Sequence, residues 1–245
     1  MIFAASVVVL GCAATALSGW LSASPPTTAV AEQWGMLATV HDASALQALR
    51  QAAHQGNVDA QRVLGTILVK ENTTASAQEG RGWLEKAAQA HDAKAQLALG
   101  KLLFQGAPGV AKDYAAAQVI LQAAAKSGDS GAAYYLGLIS KVGTASMAAD
   151  PKTAARWLQA AASGGVAEAQ FMLGQMLLEG DGVAPDALAA RSWFEKAAEQ
   201  EHPEANLQLL MARSRGEMGF AIDDAATQRQ FMEAQHSLRH RPPPP

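Results

Sequence analysis

A six-residue string, Ala-x-x-x-Leu-Gly, returns four times along this chain, at residues 60–65, 95–100, 132–137 and 169–174. The steps are 35, 37 and 37 residues, and a weakened copy opens 36 residues later at Ala205, with Leu210 in the glycine position. A second string follows each full copy: WLEKAA from Trp83, ILQAAA from Ile120, WLQAAA from Trp157 and WFEKAA from Trp193. The last alanine of each pair precedes the next leading alanine by seven residues every time, from Ala53–Ala60 through Ala198–Ala205. A period held this strictly restricts the chain to a stacked array. One unit cannot bury its apolar face alone, and neighbouring copies share a continuous core.

The spacing predicts two antiparallel helices per unit. Ala60, Leu64, Ile67 and Leu68 fall at i, i+4, i+7 and i+8, one face of a helix. Trp83, Leu84, Ala87 and Ala88 form the matching face of the second. The chain is 49% hydrophobic but only 6% aromatic, so its core must be built mostly from Ala and Leu. Gly65, Gly100, Gly137 and Gly174 lie inside first helices, where glycine costs about 1 kcal/mol relative to Ala. Close approach of the partner helix is the expected return, with the Trp side chains filling the wider part of each pair. Ser76, Asp113, Asp150 and Asp186 stand where second helices should be N-capped, with Ser76–Glu79 readable as a capping box and Pro151 at a first turn. Asn57, Asp92 and Asp129 would cap first helices, whereas Val166 and His202 break that rule.

No charged residue precedes Glu32, and Ile2–Leu21 is almost continuously apolar. Residues 1–31 therefore read as an export signal or membrane anchor, open to three readings. Ala29-Val30-Ala31 after Pro25-Pro26 fits a secretory cleavage site. Val9-Leu10-Gly11-Cys12 resembles a lipobox in which Cys12 would carry lipid. An uncleaved span through residues 2–21 is the third. Each places the protein in an exported location, periplasmic or membrane-anchored.

Chemistry is thin elsewhere. A net charge of −3 gives no footprint for nucleic acid, and one cysteine excludes an intramolecular disulfide. Six histidines show no metal-binding spacing, and neither phosphate-loop nor nucleophile motifs occur. The glycines of QGAPGV (105–110) and EGDGV (179–183) read as turn glycines. No catalytic residue, metal or cofactor is expected, and the recurrent Trp residues read as core rather than as a sugar-stacking ladder. The basic, proline-ended tail RHRPPPP reads as solvated polyproline.

The combination Ala-x-x-x-Leu-Gly, then a glycine loop with an Asp cap, then Trp-x-x-x-Ala-Ala, resembles the Sel-one-like repeat family, relatives of tetratricopeptide repeats with a longer connection. Residues 95–129 and 169–202 carry the likeness best. ENTTASAQ and KVGTASMAAD depart from it where the glycine loop should be. The resemblance implies an all-α, right-handed α/α solenoid. It implies a non-enzymatic scaffold or adaptor that binds a protein partner on its concave face. An envelope polysaccharide or peptidoglycan binder is the alternative reading. The expected divisions are 1–31 (signal or anchor), 32–56 (capping helix), repeats at 57–91, 92–128, 129–165 and 166–201, a degenerate cap at 202–238 with Phe231 in the Trp place, and a tail at 239–245. Positions two and nine after each leading Ala point away from the Ala–Leu face. They nominate Arg62, Leu97, Phe104, Tyr134, Lys141, Phe171 and Leu178, with Lys101 beside them, as the partner-gripping stripe; packing between neighbouring repeats is the alternative reading of the same side chains.

Overall fold

Seven residues separate the Ala pair from the next leading Ala because the chain turns there, and three of the five turns are also locked by a side chain. In the computed structural model, which describes residues 26–39, 42–144 and 148–221 with Arg229 and Met232, helices follow one another in antiparallel pairs. The pairs are α1 (Thr28–Thr39) with α2 (Ala43–His54), α3 (Val58–Lys70) with α4 (Thr74–Gln89), and α5 (Ala93–Gln105) with α6 (Tyr114–Lys126). Then come α7 (Ser130–Val142) with α8 (Pro151–Ser163), α9 (Ala167–Glu179) with α10 (Ala187–Glu199), and finally α11 (Pro203–Arg215). Each helix packs on the one before it, so the array is an α/α solenoid. Among the described residues, no helix is long and apolar enough to cross a membrane. Cys12 and the apolar run at 2–21 lie outside the described residues, as do Phe231 and the tail.

The turn lock is a glutamine. Gln61, Gln96 and Gln170, each just after a leading Ala, are buried, and each side-chain amide donates to the carbonyl eight residues back, at Ala53, Ala88 and Ala162. Ala133 occupies this position in the third repeat, which lacks the lock. Gln170 also accepts from the Gln200 amide at 2.9 Å, which ties its turn to the next one. Gln170→Leu is expected to cost about 1–2 kcal/mol, since it keeps the volume but strips partners from buried polar groups. Urea denaturation checks this, and an unchanged midpoint would show the lock to be incidental.

Interior glycines sit where the helices of a pair cross. A Cβ on Gly65, Gly137 or Gly174 would lie 2.8, 2.7 or 2.7 Å from its nearest neighbour, and one on Gly100 would meet the Leu121 side chain. The residue after each Trp, or after Ile120 in the second repeat, fills the crossing: Leu84, Leu121, Leu158 and Phe194 are all essentially inaccessible. Trp83 is buried, while Trp157 and Trp193 are half-buried beside the core. Lysines lie over two of the rings, Lys86 at 4.1 Å from Trp83 and Lys196 at 4.0 Å from Trp193. The three indoles are therefore structural.

Caps fall mostly where the sequence puts them. Asn57, Asp92, Asp113, Asp129, Asp150 and Asp186 each accept a backbone N–H of the first turn. Two expectations change. Helix α4 starts a turn early, so Thr73 is its N-cap and Ser76 the reciprocal partner of the capping box. His202 does cap α11, its ring Nδ1 accepting from Ala205 N at 3.3 Å, while Val166 supplies no side-chain cap. A third recurrence closes the long connections. Asp113, Asp150 and Asp186 donate their backbone N–H to the carbonyls of Leu103, Ser140 and Leu177, each at 2.8 Å. Gly106, Gly143 and Gly180, with φ of 72°, 75° and 74°, end the first helices there.

The ends differ from the sequence reading. The segment 32–56 is two helices rather than one, and α1 starts at Thr28, upstream of the boundary at residue 31. At the other end the chain returns after α11. Met218 is buried, and Phe220 lies between the guanidinium groups of Arg191 and Arg213, at 3.7 and 4.8 Å. This return covers the last helix pair, the role expected of a terminal cap.

Arg50 and Glu79 join α2 to α4 through two contacts, one between Nη1 and Oε1 and one of 3.1 Å between Nη2 and Oε2. The Arg50 hydrogen bond holds the Glu79 carboxyl below its ordinary value, helped by the Trp83 indole and opposed by burial. The folded chain therefore binds this proton less tightly than the unfolded one. The stabilisation is complete above the ordinary value of 4.5 and is lost as pH falls through the folded value. Glu79→Gln is expected to flatten the stability profile below about pH 4.5, and parallel profiles for the two proteins would refute this.

Candidate partner-binding face

First helices of neighbouring pairs touch along the array, α1 with α3, α3 with α5 and α5 with α7, while no two second helices pack on each other to that extent. From α1 to α7 the first helices thus form one side of the stack, and residues on their free sides line that face.

The nominated residues all lie on these helices, and the structure gives them connecting roles. Arg62 is the most enclosed, its side chain 11% exposed. Its Nη2 sits 3.1 Å from Asp59 and 3.2 Å from Glu32, and its Nε is 3.7 Å from the α5 cap Asp92. Burial works against the charge of Asp59, but the Thr28 hydroxyl and Arg62 outweigh it and keep the carboxyl below its usual range. Arg62 is committed to acidic partners from three helices, so it serves the stack. Leu97 faces the start of α7, where a Cβ on Gly131 would lie 3.2 Å from its methyl group. Phe171 stacks on His202, the α11 cap, with ring centroids 4.8 Å apart. Position two thus reaches the head of the next first helix in three repeats. Position nine does similar work: Lys141 pairs with Asp181 at 3.8 Å, and Leu178 packs against the α10–α11 core.

What remains is a run of aromatic rings on α5, α7 and the first turn of α6, three of them packed partly against the core. Phe104 lies 5.4 Å from both Tyr114 and Tyr135, and Tyr135 lies 5.3 Å from Tyr134, in tilted or edge-on contacts. All four rings are half-buried, as is neighbouring Lys101. Burial, with smaller contributions from Tyr134 and Glu168, pushes the Tyr135 phenol up to about 12; burial and then Glu168 push Tyr134 in the same direction. Both are neutral donors across the physiological range. Among the described residues, neither hydroxyl has a hydrogen-bond partner within the chain. Tyr114 and Tyr135 were not nominated from the sequence. Tyr135 occupies position three, which holds Val63, Ala98 and Met172 in the other repeats, so no recurrence marks it.

Among the described residues, no group of three or more His, Cys, Asp or Glu side chains could hold a metal ion.

Helix pairs, crossing glycines and shared caps define a solenoid repeat protein of the class whose surfaces bind other macromolecules. The Sel1 repeat family model matches residues 58–92, 93–129, 130–166 and 167–202, and the chain belongs to that family. Sel1 repeats typically mediate protein–protein interaction and are generally non-enzymatic. Among solved structures, the chain resembles a protective antigen with an SLR fold present in uropathogenic Escherichia coli strains. Identity is 33% and the TM-score 0.69, over 78% of this chain and 40% of that one. It also resembles a Sel1 repeat protein from Oxalobacter formigenes, at 26% identity and a TM-score of 0.70 over 85% of each chain. The chain thus spans about two fifths of the length of the E. coli antigen. No curated protein matches it.

Proposed function

We propose that this chain is a non-catalytic scaffold of the bacterial cell envelope that holds an extended segment of a partner protein along the concave face. The observation that carries the reading is the aromatic run from Tyr114 through Phe104 and Tyr135 to Tyr134. Half-buried rings offer apolar area at little entropic cost, and two neutral hydroxyls without partners offer donors to backbone carbonyls of a bound strand. Lys101 and exposed Glu168 flank the run and favour a segment carrying both charge signs. The apolar N-terminal run supports the envelope location.

The double variant Tyr134→Phe, Tyr135→Phe removes both donors and keeps the rings. It is expected to leave the thermal midpoint within a degree or two and to weaken partner binding about tenfold, the worth of two ordinary hydrogen bonds. Wild-type binding should stay flat between about pH 6 and 9, because the Tyr135 phenol titrates at about 12. A photo-crosslinking side chain at Lys101 in the full chain, expressed in a bacterium, identifies the partner, with Gln122 on the second-helix side as the reference. Adducts at 101 that fade in the double variant support the reading. Equal adducts at both positions, or no change in the variant, overturn it.

A further inference from the structure

Helix α1 closes the array, and its surroundings fix where the folded body begins. Ala31 is fully buried, the Thr28 hydroxyl donates to Asp59 at 2.6 Å, and the Asn57 amide donates to the Pro26 carbonyl at 2.9 Å. Residues 26–31 are therefore part of the packed structure. Cleavage after Ala31 would cut through the helix that ends the stack.

Two further features concern what lies against that end. The outward side of α1 holds Ala29, Val30, Gln33, Met36 and Leu37, with no charge among them, and Met36 is 67% exposed. The helix's single acid, Glu32, sits on the flank and is paired with Arg62 and Lys94. Upstream, the uncharged apolar run ends at Leu21, four residues before Pro26. Four residues and their flanking bonds span at most about 16–18 Å. Residues 2–21, apolar but for Ser6, Thr15 and Ser18, are long enough to cross a bilayer, so whatever holds that run is within reach of α1.

The geometry points to a lipid bilayer as the occupant of this face: residues 2–21 stay attached and span it, and the outward side of α1, led by Met36 and Leu37, rests on its surface. The solenoid then stands on the membrane by its N-terminal end, leaving the inner face of α5 and α7 free. The inference does not rest on the concave-face reading, and either can fail alone.

The test uses the full chain expressed in a bacterium with its own N-terminus. Intact mass and fractionation of the wild type come first. The expected result is a membrane-bound chain that retains residues 2–21. A soluble chain beginning at Glu32 overturns the inference, and so does a lipid-carrying chain beginning at Cys12, which would have lost half of the run. Contact is then read on a Cys12→Ser background with a fluorophore at Met36→Cys or at Val142→Cys, the latter on α7 at a position 75% exposed. The chain is reconstituted in phosphatidylcholine–phosphatidylglycerol vesicles containing brominated lipid. Quenching several-fold stronger at 36 than at 142 supports the assignment. Equal quenching at both, or a position-36 probe shielded by a second copy and unaffected by brominated lipid, overturns it.

Discussion

Gly65→Ala is expected to destabilise the chain by about 2–3 kcal/mol, although the same exchange in an open helix would stabilise it by about 1 kcal/mol. The reason is what a Cβ would meet. At Gly65 it would stand 2.8 Å from the Gly80 carbonyl oxygen and 3.0 Å from the Leu84 backbone nitrogen. A Cβ on Gly80 would in turn meet the Gly65 carbonyl at 2.7 Å. Helices α3 and α4 thus cross backbone against backbone, and only separation of the helices can make room. At Gly137 the obstacle is the Leu158 side chain at 2.7 Å, with its backbone nitrogen at 3.4 Å, so a change of rotamer relieves much of the clash. Gly137→Ala should therefore cost clearly less than Gly65→Ala. Gly65→Ala and Gly80→Ala combined should cost less than their sum, because the first already parts the helices. Urea midpoints of the four variants, each read against the wild type, decide the matter, and equal shifts at 65 and 137 would show that backbone contact does not set the cost.

The crossing glycines were legible because they recur with the alanines that face them. Periodicity reports whatever each repeat must do for itself, which here is the crossing, the caps and the seven-residue turn. It is silent where one repeat departs from the rest. Helix α4 shows this: no glycine loop precedes it, the chain turns through Glu71 and Asn72 with φ of 56° at Asn72, and the helix begins at Thr74 instead of waiting for Ser76. His202 is another case. Its imidazole takes the place of an Asp or Asn carbonyl-type acceptor, a substitution that a list of favoured caps does not contain.

The site was legible in outline only. Helical geometry put the nominated residues on one side of the first helices, and the structure gives several of them partners in the next repeat. Their partners come from about 30 residues away, as with Arg62 and Asp92 or Phe171 and His202, and no local pattern announces them. One Arg thus read as a binding cation is held by three carboxylates. Tyr135 escaped for the opposite reason: a single large ring at a position filled elsewhere by smaller or flexible side chains gives no signal until Phe104 is seen against it.

Removing residues 1–31 is expected to cost the folded chain about 2–4 kcal/mol more than removing residues 1–25. The extra six residues take away the first turn of α1, including buried Ala31, and shorten the helix from twelve residues to the eight of 32–39. They also strip the Asn57 amide of the Pro26 carbonyl and Asp59 of the Thr28 hydroxyl. An eight-residue helix holds in water only through its packing, and here the packing is the part that is lost. With α1 loosened, Val63 loses its contact at Gly35, and the apolar side of α3 opens to solvent at the end of the stack. End repeats of a solenoid keep it soluble, so the shorter chain should also self-associate. Urea denaturation followed by size-exclusion chromatography compares the two chains directly. Equal midpoints and equal monomer fractions would make the first turn of α1 dispensable and restore Ala31 as a tolerable cleavage point. A loss of the expected size would mean that the solenoid draws a measurable share of its stability from residues 26–31.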